Sequence, residues 1–174
     1  EPLELLGYFA VPADEREEAV REGMNAAEEG AMWHPVKAPR EPYGIGHIPF
    51  YPFIKEVAQT FEVDNPIRAV APHTPTWFTT GSGCTVEVYR LEGERWKLVA
   101  KERFEDVKDN SWLSVEFPLQ PPGIYKWAIV EPRGKIGAWA RWGDSRSKGQ
   151  PLVNGRPVEG FDFETRVITA DGKI

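Results

Sequence analysis

From Val57 onward, apolar and polar side chains alternate with a period of two, interrupted at short intervals by clusters of Gly, Pro, Asn and Asp. The alternating runs are VAQTFEV, IRAVAP, CTVEVYRL, WKLVAKERF, SWLSVEF, IYKWAIV, KIGAWARW and FDFETRVIT, separated by DNP, TGSG, EGE, KDN, QPPG, EPRG and NGRP. About eight short strands bounded by turn formers predict a mostly β fold, an antiparallel β-sandwich of the jelly-roll kind.

Because successive side chains of a strand point to opposite faces, the alternation also sorts the aromatic residues. In SWLSVEF, Leu113, Val115 and Phe117 share an apolar face, which leaves Trp112 on the polar one with Ser114 and Glu116. In IYKWAIV, Tyr125, Trp127 and Ile129 lie opposite Lys126, so Trp127 belongs to the core. In FDFETRVIT, Phe161, Phe163, Thr165 and Val167 alternate with Asp162, Glu164 and Arg166. Over 136–142 the same rule separates Ile136, Ala138, Ala140 and Trp142 from Gly137, Trp139 and Arg141. Trp139 is then the outward tryptophan of that strand, and Trp142 caps the core or ends the strand before Gly143.

The first 56 residues are patterned differently. After the apolar segment LELLGYFAV comes a helix signature: Asp14 as cap with Glu17 three residues on, a stripe of Val20, Met24 and Ala27, and a stop at Gly30. WHPVKAPREPYGIGHIPFYPF, residues 33–53, is rich in proline and aromatic residues. Proline removes a backbone donor and fixes φ, so this segment reads as a long wrapping loop and not as a helix or a central strand. One domain, 1–174, is expected, with 1–56 as a helical and looped cover and 57–174 as the sandwich.

The composition, 41% hydrophobic with 12% aromatic residues, is enough for a sizeable core. A formal charge of −6 lacks the basic surface that a nucleic-acid backbone requires, so no nucleic-acid partner is expected. No apolar run approaches the roughly 20 residues that span a bilayer, and no membrane partner is expected. The N-terminus lacks the charged-then-apolar plan of a signal peptide, and an extracellular location is expected as part of a larger protein. Cys84 is the only cysteine; it shares an apolar face with Val86 and Val88 and reads as a buried structural thiol.

Catalytic signatures are weak. GDS at 143–145 resembles the nucleophile block of an esterase superfamily, but there the serine comes early and a histidine late, whereas here the last histidine is His73. TTGSGC lacks the GK[ST] of a phosphate-cradling loop. His34, His47 and His73 have no zinc-ligand spacing. Glu159, Asp162 and Glu164 could supply the paired acids of a small glycoside hydrolase, although strand alternation puts Asp162 and Glu164 on a solvated face. No catalytic residue and no cofactor is therefore assigned. A structural calcium ion would find oxygen ligands at Asp64–Asn65 and Asp109–Asn110, and both pairs equally suit turns.

AQTFEV, PTWFTTGSGCTVEVYR, DNSWLSVEFP, PPGIYKWAI and FDFETRV follow one another in an order that resembles the carbohydrate-binding-module type of jelly roll, the galactose-binding-like sandwich attached to polysaccharide-degrading enzymes. The resemblance covers about two thirds of the chain. It implies a non-catalytic accessory module of a larger extracellular protein that stacks sugar rings on exposed indoles, because the C–H face of a pyranose matches a π surface. Trp139, Trp142 and Trp77 are the expected stacking residues, with Trp112 a further candidate and with Arg141 and Asp144 bonding hydroxyls. A polysaccharide or oligosaccharide and the neighbouring domains of the parent protein are the expected partners. The alternatives are an interaction domain docking through its aromatic-rich loop, and the hydrolase.

Overall fold

A computed structural model of the protein describes residues 3–6, 9–12, 45–49, 54–142, 149–158 and 160–172. The expected helix after Asp14 and most of the proline-rich segment lie outside these residues. Among them the protein is mostly β, and every strand pairing is antiparallel.

The strands are β1 (Leu3–Leu6), β2 (Phe9–Pro12), β3 (Ile45–Pro49), β4 (Glu56–Val63), β5 (Ile67–Thr74), β6 (Gly83–Glu92), β7 (Arg95–Phe104), β8 (Ser111–Trp112), β9 (Val115–Gln120), β10 (Gly123–Arg133), β11 (Gly137–Trp142), β12 (Pro151–Val153), β13 (Arg156–Pro157), β14 (Phe161–Phe163) and β15 (Thr165–Thr169). β1 and β2 form a hairpin, and the largest sheet runs β13-β12-β4-β10-β6-β7. A second sheet is β14-β11-β3, and a third is β15-β5-β8 with β9 also paired to β5.

Four expectations are corrected. The proline-rich segment contains β3, which is compatible with its prolines because β3 is an edge strand needing partners on one side only. SWLSVEF is not one strand but two, β8 and β9, which pair successively with β5. FDFETRVIT likewise divides at Glu164: β14 pairs with β11, whereas β15 pairs with β5. NGRP is not a plain separator, since Asn154 and Gly155, both at positive φ, turn a hairpin between β12 and β13. Gly149 lets the chain re-enter this sheet against β4, because a Cβ there would lie 1.9 Å from the Thr60 carbonyl oxygen.

One core joins the sheets. Val57, Phe61, Val86, Val88, Trp127 and Ile129 of the largest sheet pack with Ile67, Val70, Val115, Phe117, Phe161 and Phe163 of the others and with Leu113 and Ile136 beside them. The alternation predicted these faces correctly for Leu113–Val115–Phe117, Tyr125–Trp127–Ile129 and Ile136–Ala138–Ala140. Trp127 is fully buried, and its indole N–H donates to Thr165 Oγ1 at 2.7 Å, so its own donor is satisfied in the core. Cys84 is buried too, and burial raises its thiol pKa to about 12, which keeps it a neutral, unreactive apolar group.

Buried Gln59 pins β4 to β14. Its Oε1 accepts from Phe163 N at 2.9 Å, and its Nε2 donates to Asp162 Oδ1 at 2.9 Å and to the Thr60 carbonyl at 3.0 Å. Trp127→Ala is expected to lower the unfolding free energy by about 3–5 kcal/mol, because the vacated volume cannot collapse between two sheets. Urea denaturation followed by far-UV circular dichroism checks this.

Candidate functional site

The outward face of β11 meets the end of β5 and the turn between β7 and β8. Here a group of interlocked polar and aromatic side chains is found. It is built around two neighbours, Asp109 and Asn110, and one buried carboxylate, Glu164.

Glu164 sits where β14 gives way to β15, and the break in alternation turns it inward. Its side chain is only 8% exposed, which corrects the expectation of a solvated acidic face. A buried carboxylate is costly unless paired. Its Oε2 lies 2.7 Å from His73 Nδ1 and its Oε1 3.0 Å from Arg141 Nη2, and its backbone N–H donates to the Trp139 carbonyl at 2.9 Å. The hydrogen bond from His73, with the charges of His73 and Arg141, holds the Glu164 carboxyl below the usual range against the opposing effect of burial.

His73 reaches the second element of the site through its other ring nitrogen, Nε2, which lies 3.2 Å from the Asn110 carbonyl oxygen. A carboxylate and a carbonyl are both acceptors only. Both contacts are therefore hydrogen bonds together when His73 carries a proton on each nitrogen, and the imidazolium then neutralises Glu164. The ring also stacks on Trp112 at 4.2 Å with 5° between planes, and the Arg166 guanidinium lies 4.1 Å from the Trp112 centroid.

The Asp109–Asn110 turn holds three segments at once. Asp109 Oδ1 accepts from the backbone N–H of Thr76 at 2.7 Å and of Trp77 at 2.9 Å. Asn110, at φ +58, is a residue type that tolerates the left-handed region, and its Oδ1 accepts from the Trp139 indole N–H at 2.8 Å. The DN pair is thus a turn, with both side chains directed at neighbouring segments. Beyond it, Trp77 at φ +52 and Phe78 at φ +58 are consecutive bulky residues in a left-handed conformation, each costing about 1–3 kcal/mol. The Thr79 N–H and hydroxyl both donate to the Thr76 carbonyl, at 3.1 and 2.7 Å, and close this turn.

Of the predicted site residues, Trp77, Trp112 and Trp139 are half-buried and Arg141 is exposed. Trp139 and Arg141 point outward from β11 as the alternation required, and Trp139 lies 6.0 Å from the His73 ring. Trp112 joins the same cluster but is in contact with His73 and Arg166. The Trp142 side chain and Asp144 lie outside the described residues, as does Glu159. Asp162 is engaged by Gln59, and Glu164 by His73 and Arg141, so both of these acids serve as structural anchors.

Sequence reasoning missed His73, Asn110, Glu164 as a buried anchor, and Phe78, which is 88% exposed. The KDN turn and the TWF string were visible signals; that they meet was not. A second aromatic group, Tyr89 and Trp96 on the largest sheet, holds its own Lys126 ammonium 4.9 Å from each ring centroid. No group of three or more His, Cys, Asp or Glu gathers for a metal ion among the described residues.

A mostly β protein, antiparallel throughout its described residues, with aromatic and cationic side chains gathered around the Asp109–Asn110 turn, is the class that fold and site define. Comparison with protein-family models, with characterised proteins and with solved structures returns no match.

Two outcomes are expected here. A carboxyl whose folded pKa is depressed stabilises the fold above its unfolded value, about 4.3, and that increment is lost as pH falls through the folded value. Glu164→Gln should therefore lower stability at about pH 6 by roughly 1–3 kcal/mol and change it little below the carboxylate range, as urea titrations at both pH values will read. Asn110→Gly keeps a residue suited to φ +58 but removes the Trp139 acceptor. Acrylamide quenching of tryptophan fluorescence should increase while the far-UV spectrum is retained.

Proposed function

We propose that the protein is a non-catalytic carbohydrate-binding module, built as a jelly-roll β-sandwich and carried by a larger extracellular protein. The observation that carries this reading is the outward, half-exposed Trp139, with its indole edge fixed by Asn110 and with Arg141 beside it on the same strand face.

Sugar recognition needs a flat apolar surface open to water together with hydrogen-bonding groups at its edge. Trp139 offers the first, and the exposed guanidinium of Arg141 offers donors held in place by the buried Glu164 carboxylate. Trp77, anchored through Asp109, adds a second indole to the same end of the molecule. Trp112 contributes as a buttress, stacked between protein groups, and holds His73 against the turn that orients Trp139. Because these side chains are fixed by bonds that exist without a ligand, little conformational entropy is lost on binding.

The reading assigns no hydrolytic step to Asp162 of β14 or to Glu164 at the β14–β15 junction, in keeping with their hydrogen bonds to Gln59, His73 and Arg141. Affinity electrophoresis through gels containing cellulose, xylan, mannan, β-1,3-glucan or chitin derivatives tests it. Retardation by at least one polysaccharide is expected, and Trp139→Ala should abolish it with the melting temperature nearly unchanged. Migration unaffected by every gel, with a change of oligomeric state on dilution, would instead mark a docking domain.

A further inference from the structure

Phe78 is the most exposed large apolar side chain among the described residues, at 88%, and it stands at the tip of a turn whose backbone conformation disfavours it. Glycine or asparagine would adopt that conformation readily, whereas a bulky aromatic residue is held there only because the surroundings impose it. The restraints are specific. Asp109 takes the N–H groups of Thr76 and Trp77, Thr79 closes the turn onto Thr76, and the Thr79 hydroxyl lies 3.2 Å from the Ser82 hydroxyl, which itself donates to the Lys135 carbonyl.

The same two-residue turn that anchors this tip also anchors the proposed platform. Asp109 holds the backbone leading to Phe78, and Asn110 holds the indole of Trp139. The Gly137 N–H, at the start of β11, donates to the Pro75 carbonyl at 3.0 Å, so the two segments are also joined directly. The other exposed large apolar residues, Leu98, Leu119 and Ile124, belong to β7, β9 and β10, so Phe78 is not part of a contiguous apolar patch on its own segment. Beside it in the chain, half-buried Trp77 and Thr79 and exposed Thr80 reach the surface, whereas Thr76 and Ser82 are buried. A flat exposed ring beside Thr79 and Thr80 suits a pyranose face with its rim of hydroxyls better than the apolar socket of a protein partner.

We infer that Phe78 is a further sugar-stacking residue, separate from Trp139, and that the ligand is therefore an extended saccharide chain lying across both. This inference rests on the glycan reading above and adds to it the length of the ligand. Each added sugar that reaches Phe78 gains a stacking surface. Affinity then rises with chain length until both rings are covered.

The test uses the whole protein with Phe78→Gly, which accepts the turn conformation, and with Phe78→Trp, which restores a ring. Oligosaccharides of two to six units, prepared from the polysaccharide that retards the unaltered protein most, serve as probes in isothermal titration calorimetry. Phe78→Gly is expected to bind the hexasaccharide roughly tenfold more weakly, to bind the disaccharide as before, and to melt at the same or a higher temperature. Phe78→Trp should recover the dependence on chain length. Unchanged hexasaccharide affinity in Phe78→Gly would overturn the inference while leaving the Trp139 site standing, and a changed oligomeric state beside it would assign Phe78 to protein docking. Failure of the unaltered protein to bind any polysaccharide of the panel would overturn the glycan reading and this inference together.

Discussion

A carboxylate cannot stay charged inside a protein without partners, and Glu164 is such a carboxylate. Its position at the junction of β14 and β15 makes the constraint architectural. To satisfy both oxygens, the end of β5 must bring His73 to one and β11 must bring Arg141 to the other, at 2.7 and 3.0 Å. Its backbone N–H adds a bond to Trp139. Two strands from separate sheets, β5 and β11, therefore converge on the one residue at the β14–β15 junction and are cross-linked there. Replacing such an ion cluster with packed apolar groups could give a fold of similar stability. It would not leave an oriented guanidinium and an oriented imidazole at the surface.

From that anchor the restraint passes outward through His73 to Asn110 and thence to Trp139. Asp109, one residue earlier, extends it to Trp77 and Phe78. Residues in unfavourable backbone conformations persist where the surroundings over-determine them, and such places tend to be binding or switching sites. Here Trp77, Phe78 and Asn110, all with positive φ, belong to two turns bonded to each other. These restraints thus meet at the Asp109–Asn110 turn, next to the exposed Phe78.

The tryptophans show how the same side chain takes different roles according to its neighbours. Trp127 fills the core and gives its N–H to Thr165. Trp96 helps clasp Lys126, and Trp112 is in contact with His73 and Arg166. Trp139 differs in having its edge bonded while its strand face looks outward, the arrangement a ligand could use. Exposure alone does not separate these cases, since Trp96, Trp112 and Trp139 are all half-buried. What separates them is which groups hold each ring: Lys126 at Trp96, His73 and Arg166 at Trp112, and Asn110 at the edge of Trp139 with the His73 ring 6.0 Å away.

The alternation of polar and apolar residues by itself determined the class of fold, the inward faces of β9, β10 and β11, the burial of Trp127 and Cys84, and the outward direction of Trp139 and Arg141. These are local consequences of a two-residue repeat, legible wherever a strand is regular. The tertiary structure alone decided where that repeat breaks, at Glu164, because a chain that changes its pairing partner between β14 and β15 leaves no mark in local pattern. It also decided that Glu164 faces inward, that a proline-rich segment supplies edge strand β3, and that Asp109, Asn110, His73 and Trp139 meet. Those contacts join residues 29 to 91 positions apart, and a hydrogen bond between such distant positions exists only after the sheets have packed.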